Sequence, residues 1–566
     1  MERELSRRSL LRAAGVAGLG VPLLAGCTSP SPSSSAPPAR AAGGGDPVSV
    51  AMHLHSSFSE GTASMGTHLA QAERLGVDAL FWTDHDFRVS AQGYRRRLRL
   101  GAATDSEDGV ELTWRPRGPG RVGYGDGAAE LTGTGDDGFW LDADAWNSTY
   151  SGSIADTTLA VTVRPAAPGG GYAAVQLDLS YHPASGGRPA GTYRLTYRIG
   201  PAAARRAEGR DGLVDVPAPA GWSTVTLRPV EDIGALWPDL VAPDNALHKL
   251  RVGVVGAGPA GFREVALTRA RRGDSLALMR DVMARYARRH PDRRQYAALE
   301  VSLVRHLNWF GGELVMPDYG DRAPVKDDGI PAAEAMVALI HRHGGLASYN
   351  HPLGASPQAT AEHMVATKAL GADIVEVAYG GPSIVDGMLH VLDACARNLV
   401  LVTANGVTDD HDGTDWYADG KSNWITRMWA PSAELPDLQA ALRAGRAWAY
   451  KPNGWNGTLR TTAGDSPALG AVVATAGRTV PVTTTATDLP TGGTLEVVTG
   501  RADRAAPEPA IRVEPVRGGT HTADLAPGSY VRAVVRDARG RIVGVGNPTW
   551  VLRDHTGIPA ERRLTV

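Results

Sequence analysis

The stretch VSVAMHLHSSFSEG, residues 48–61, decides how the rest of the chain is read. Val48 to His53 is an apolar run and predicts a buried strand with a histidine at its end. Residues two apart on a strand point to the same face, so His53 and His55 can reach one site, and Glu60 follows five residues on. Helical spacing over Met65–Leu75 comes next, then a second apolar strand, Ala79–Thr83, running into Thr83-Asp84-His85-Asp86. The alternation returns late in the chain. Helix Pro331–His343, strand Leu346–Asn350, helix Thr360–Leu370, strand Ile374–Ala378, helix Ile384–Ala396, strand Leu399–Thr403 and helix Ala433–Arg443 follow in turn. Strands separated by helical patterns of about 10–15 residues predict βα units and a parallel sheet or barrel.

Between these halves, over residues 96–272, the period becomes two. Tyr172–Tyr181, Thr192–Ile199, Ser223–Leu227 and Leu250–Val255 alternate between Gly, Pro and Asp turns, which predicts an antiparallel β-sandwich inserted into one loop. Gly253–Gly258 is Gly-rich but has no helix after it, so it is not a dinucleotide loop. From Lys451 the pattern is β again and predicts a small terminal β domain. The implied division is 46–95 and 273–450 for the βα part, 96–272 for the insert and 451–566 for the last domain.

The chemistry-bearing residues gather at predicted strand ends. They are His53, His55, Glu60, His85, Glu300, His306, His351, Asp409 and His411. The C-terminal rim of a βα barrel is where catalysis normally sits. Imidazole and carboxylate without cysteine suit Zn, Mn or Fe(II). Nine donors are too many for one cation and enough for two or three, and cations about 3.5–4 Å apart can clamp the two oxygens of a displacement. Asp86, Arg88 and Asp410 lie beside these residues and are candidates for substrate contact or catalysis, as is Asn405. Asp84 fits a role in orienting a histidine. Glu376 could face the metals or pack against an arginine. Trp416, Tyr417 and Trp424 could form a substrate wall or belong to the core, and the remaining histidines, such as His341, His343 and His363, fit surface or cap roles.

The motifs HLHSSFSEG (53–61), TDHD (83–86), LEVS through His306, YNHP (349–352) and TDDH (408–411) resemble, in order, those of the PHP (polymerase and histidinol phosphatase) family. The resemblance implies an α/β fold: a distorted (βα)7 barrel interrupted by an inserted all-β sandwich, plus a C-terminal immunoglobulin-like β domain. It also implies a trinuclear site. One metal would take His53, His55 and Asp409 with Glu300 bridging, a second Glu60, His85 and His411, and a third His306, His351 and Glu300. Glu60 stands where the family usually has Asp or His. Export and the added β domains resemble the branch that includes carbaryl hydrolase. The resemblance implies a metal-dependent hydrolase, chiefly a phosphoesterase. A carboxylic ester, carbamate or amide hydrolase on the same site is the alternative, because a fold does not fix the bond cut. The reading from another class is a cell-wall glycan-binding lipoprotein with a vestigial barrel, its glycan contacts made through the β domains.

The N-terminus reads as an address. Ser6-Arg7-Arg8-Ser9 with an apolar run of about 14 residues resembles a twin-arginine export signal (1–26) and is too short to span a bilayer. Leu24-Ala25-Gly26-Cys27 resembles a lipobox, with Cys27 lipidated on the outer face of the membrane and 27–45 a flexible tether. The Asn147-Ser148-Thr149 acceptor pattern carries no meaning beside a bacterial export signal. In 566 residues the hydrophobic share is 43% and the charged share 21%, which fits a folded protein. A formal net charge of −2 excludes nucleic-acid binding by bulk positive charge. Two cysteines build neither a disulfide framework nor a Cys-rich metal site, and Cys395 reads as a buried structural thiol.

Overall fold

Strand β1 (Val48–Ala51) is buried at every position, as its apolar sequence requires. It pairs in parallel with β2 (Ala79–Trp82), Val50 opposite Ala79. Helix α1 (Met65–Leu75) joins the two. Ser64 Oγ accepts the Thr67 amide at its start, and Gly76 ends it in the left-handed region at φ 66°, where a Cβ is strained. The computed structural model describes residues 45–566 apart from 92–93, 108–109, 146–151, 167–170, 201–202, 270–274, 318–325, 414–415, 417–421, 505–508 and 510. The export signal, Cys27, nearly all of the tether, Asn147–Thr149 and Tyr417 therefore lie outside the described residues.

After the insert, α2 (Ser275–Arg289) leads to β3 (Arg294–Val301), parallel to β2. The chain then reverses. β4 (Leu307–Phe310) runs antiparallel to β3 with Glu300 opposite Asn308, because residues 302–306 are far too few for a parallel crossover, which needs a dozen or more. Helix α3 (Ile330–Arg342) precedes β5 (Leu346–Tyr349), which is antiparallel to β4. Helices α4 (Pro357–Ala366) and α5 (Pro382–Arg397) flank β6 (Ile374–Ala378), and β7 (Thr403–Gly406) follows; β5, β6 and β7 are parallel. On the other side of β1 lie β8 (Ile425–Met428) and, after α6 (Leu435–Arg443), β9 (Ala447–Tyr450), each antiparallel to its neighbour.

These pairings overturn the expected (βα)7 barrel. The strands belong to a mixed sixteen-stranded sheet that ends at β7 on one side. On the other side β9 finds its partner in Ile542–Gly546, not in β7, and the sheet runs on into the C-terminal strands. Beyond β7 the contact passes through side chains. Thr426 Oγ1 accepts the Gly406 amide and donates to its carbonyl, and Asn547 bridges Ala404 and Ala447. Among the described residues 43% are strand and 19% helix, so the molecule is mostly β.

The expected immunoglobulin-like terminal domain is corrected for the same reason. Its strands extend the first sheet, and a four-stranded sheet of Leu459–Ala463, Ser466–Pro467, Val480–Ala486 and Thr520–Leu525 shares one core with β1 to β9. The insert holds a twelve-stranded sheet around its own core, and Gly152–Ser153 pairs with Ala246–Leu247 apart from it. Its longest strand, Lys249–Thr268, contains Gly253–Gly258 and pairs with Tyr172–His182, Ala128–Ala145 and Thr158–Arg164 in turn. No helix among the described residues is long and apolar enough to cross a membrane.

Candidate metal centre

The loop after β1 is pegged so that its histidines face one way. Thr83 Oγ1 accepts the Leu54 amide at 2.9 Å and donates to its carbonyl at 3.1 Å, while the His55 amide donates to Asp410 O at 3.0 Å. The loop is braced from the insert as well: the Ser64 amide donates to Tyr181 O and the Tyr181 amide to Thr62 O. Buried Asp244 accepts from Ser57 Oγ, the Met65 amide and the Tyr286 hydroxyl. Glu300, at the end of β3, lies opposite this loop and is 1% exposed.

His53 Nε2 and His55 Nε2 face each other, and both approach Glu300 Oε2 and Asp409 Oδ1. The His53–His55 and His55–Asp409 separations are 3.1 Å, His53–Asp409 and His55–Glu300 are 3.4 Å, and His53–Glu300 is 3.6 Å. Donors about 2.1 Å from one tetrahedral centre stand about 3.4 Å apart, so His53, His55 and Glu300 have the spacing of three donors to one cation, with Asp409 beside the two imidazoles. A second group joins His55, Glu60, His85 and His411, with His411 Nε2 3.3 Å from Glu60 Oε1. A third joins His85, Glu300 and His306, with His85 Nδ1 2.7 Å from Glu300 Oε2 and His306 Nδ1 2.9 Å from Glu300 Oε1. His351 Nε2 approaches the same Glu300 Oε1 at 3.5 Å. All nine residues nominated from the sequence thus fall in one linked cluster, with Glu60 and His411 joined to the Glu300 side through His55 and His85. His85 stands between two groups, whereas the resemblance assigned it to one.

The electrostatics demand positive charge here. Burial works against ionisation of Glu300, yet His85 and His53 hold its pKa well below the usual range, and Glu60 and Asp409 are lowered by neighbouring imidazoles in the same way. Burial opposes the protonated forms of His53 and His85, but the facing carboxylates outweigh it. His53 is raised well above its ordinary value and His85 to about 10. His55 is pushed down to about 3, by burial and then by His411 and His85, so its lone pair is free. Three ionised carboxylates among six imidazoles make a donor set that fits borderline divalent cations. His306 (φ 51°), His351 (φ 28°) and Asp409 (φ 49°) all sit in the left-handed backbone region, a strain that concentrates at functional sites.

A further layer holds the donors. Glu376 faces the centre: its Oε1 is 2.6 Å from His53 Nδ1 and its Oε2 accepts the His351 amide at 2.7 Å, which fixes His53 to present Nε2. Asp84 accepts from the Ser56 amide, Ser56 Oγ and Ser59 Oγ, and Ser59 Oγ lies 3.4 Å from His55 Nδ1. Sequence reasoning missed Asn350, whose amide group donates to Glu300 Oε1 at 3.1 Å, and Ser302, whose hydroxyl contacts His85 Nδ1. Both stand inside motifs already singled out, so position within the motif was the available signal.

The other candidates divide. Arg88 Nε is 3.1 Å from Glu60 Oε2, and its Nη1 donates to the Tyr94 hydroxyl, placing a fixed cation at the rim. Asp86 is buried and accepts the Ser302 amide. Asp410 accepts the Asp412 and Gly413 amides and so shapes the turn beside Asp409. Asn405 is buried against Met52 Sδ, and Trp416 and Trp424 belong to the core.

No protein-family profile and no curated protein matches this chain. Among solved structures, the endoglucanase Cel12A from Rhodothermus marinus is 16% identical and covers 31% of this chain and 99% of its own, with a TM-score of 0.22. A two-domain protein from Bacteroides vulgatus containing a predicted PHP-like metal-dependent phosphoesterase is 15% identical, covers 50% and 81%, and has a TM-score of 0.24. A point mutant of a family 29 carbohydrate-binding module is 11% identical, covers 30% and 89%, and has a TM-score of 0.17.

Proposed function

We propose that the chain is a metal-dependent hydrolase that cleaves phosphate esters at the centre around Glu300. The observation that carries this reading is the convergence of His53 Nε2, His55 Nε2 and Glu300 Oε2, with Asp409 Oδ1 beside both imidazoles and two further donor groups that share His85. Zn, Mn or Fe(II) suits these ligands, and such cations supply Lewis acidity and make water a stronger nucleophile near neutral pH. The chain's own contribution is placement. Glu376 keeps His53 Nε2 turned inward, Asp84 steadies the loop behind His55, and Asn350 orients Glu300. Glu60, His306, His351, Asp409 and His411 are partly exposed, so the donors open to solvent on one side. Arg88 at that opening suits an anionic phosphate, whose planar oxygens match a guanidinium.

Protein purified without added metal should carry two or three equivalents of divalent cation by elemental analysis and hydrolyse chromogenic phosphate esters. His53→Ala and Asp409→Ala should abolish turnover while leaving the folded circular-dichroism spectrum intact. Cleavage of carboxyl esters alone in the same panel would reassign the bond cut. Cation-free protein indifferent to chelators would remove the reading altogether. Export by the twin-arginine signal and anchoring through lipidated Cys27 complete the proposal, and incorporation of labelled fatty acid into wild type but not Cys27→Ala tests them.

A further inference from the structure

At the end of the first sheet away from the metal centre, α6 and the C-terminal segment enclose a cleft of about 440 Å³. Four arginines line it: Arg443, Arg446, Arg562 and Arg563. Their placement follows from the ladders. Ala447 lies beside Met428 and Met428 beside Val48, so Arg446 stands at the start of β1, whereas His53 follows its end. Thr403, which Arg562 touches, likewise begins β7. At about 3.3 Å per residue the two sites are roughly 15 Å apart along the strands.

None of the four guanidiniums forms an ion pair among the described residues. Arg562 donates to Gly470 O at 3.1 Å and Thr403 Oγ1 at 2.6 Å, Arg563 to Ile558 O at 2.8 Å and Arg443 to Gly344 O at 3.3 Å. All of these acceptors are neutral. The Nε of Arg446 is buried with no acceptor. Arg562 is 3% exposed and held close: a Cβ added at Gly445 would lie 2.4 Å from its Nη1. Glu561 also lines the cleft, one negative charge against four positive. Burial lowers the pKa of Arg446, and it lowers that of Arg562 to about 10 despite Glu561 and Asp373. Arg562 is buried and Arg446 half-buried, and charge taken out of water without a counter-charge is costly, so an anion in the cleft would relieve it, with Arg563 exposed at the edge.

We infer that this cleft binds a small polyvalent anion of the phosphate type, with Arg446, Arg562 and Arg563 as its ligands. Phosphate oxygens match the fork of N–H donors on each guanidinium, and the volume admits a phosphate group together with a modest organic residue. The site is independent of the proposed hydrolytic chemistry.

Pyrophosphate is the probe, titrated calorimetrically and by thermal melting into full-length wild type, Arg446→Gln, Arg563→Gln and His53→Ala. In wild type and His53→Ala, pyrophosphate should raise the melting temperature and bind this cleft with one-to-one stoichiometry. In Arg446→Gln and Arg563→Gln that binding should weaken at least tenfold and the thermal shift should shrink accordingly. Without pyrophosphate, Arg446→Gln should melt no lower than wild type, because it removes an uncompensated charge. Equal shifts in wild type and both arginine variants, loss of all binding in His53→Ala, or no binding in wild type would each overturn the assignment.

Discussion

His53 shows how much one residue depends on its neighbours. Its Nε2 can face three other donors only because Glu376 occupies Nδ1 at 2.6 Å. Glu376→Gln keeps the shape but loses the charge, and it should weaken metal retention about 10- to 100-fold, read by competition with a chelator of known affinity. Cys395 illustrates the opposite condition. Burial, and then Asp393, pushes its thiol up to about 12, so almost none is thiolate near neutrality. Iodoacetamide should leave the Cys395 peptide unmodified in native protein and alkylate it in denaturant, as mass spectrometry would show. Asp86 and Asp410, chosen from the sequence for their place beside donors, spend their carboxylates on backbone amides. Nothing in sequence adjacency distinguishes such a brace from a substrate contact.

Among elements, α5 and the strand Ser529–Arg536 are tied by a buried ion pair. Arg532 Nε donates to Asp393 Oδ1 at 2.7 Å, the Tyr530 hydroxyl joins at 3.0 Å, and both charged residues are almost wholly buried. Asp393→Ala would strand a buried guanidinium and should cost about 3–5 kcal/mol in urea unfolding, whereas replacing both partners by apolar residues should cost far less. The hairpin of β3 and β4 matters more for the site, because its short reversal carries Ser302 against His85 and His306 against Glu300. The apolar run read as a strand over Leu399–Thr403 pairs only from Thr403 to Gly406. Local apolarity located the segment, but the register belonged to the neighbouring strand.

For the whole molecule, the continuous sheet makes the last part of the chain a structural necessity. β9 pairs with Ile542–Gly546, and Leu459, Val480 and Val535 share a core with Val50 and Leu80. Ending the chain at Lys451 would bare a sheet edge and an apolar face, a combination that promotes aggregation. Residues 46–451 expressed alone should be insoluble or lack cooperative unfolding, and a soluble fragment with a sharp melting transition would contradict this account. The sequence by itself determined the inventory of the centre. Imidazole and carboxylate at strand ends, two residues apart or in short motifs, are local facts, and strand geometry turns them toward one side without help from the rest of the fold. Only the tertiary structure decided that β3 turns back into β4, that β9 joins the C-terminal strands in place of closing a barrel, that Glu376 and Asn350 hold the donors, and that four arginines crowd one cleft. Those outcomes depend on which distant strands share a ladder, and periodicity within a segment carries no record of its partner.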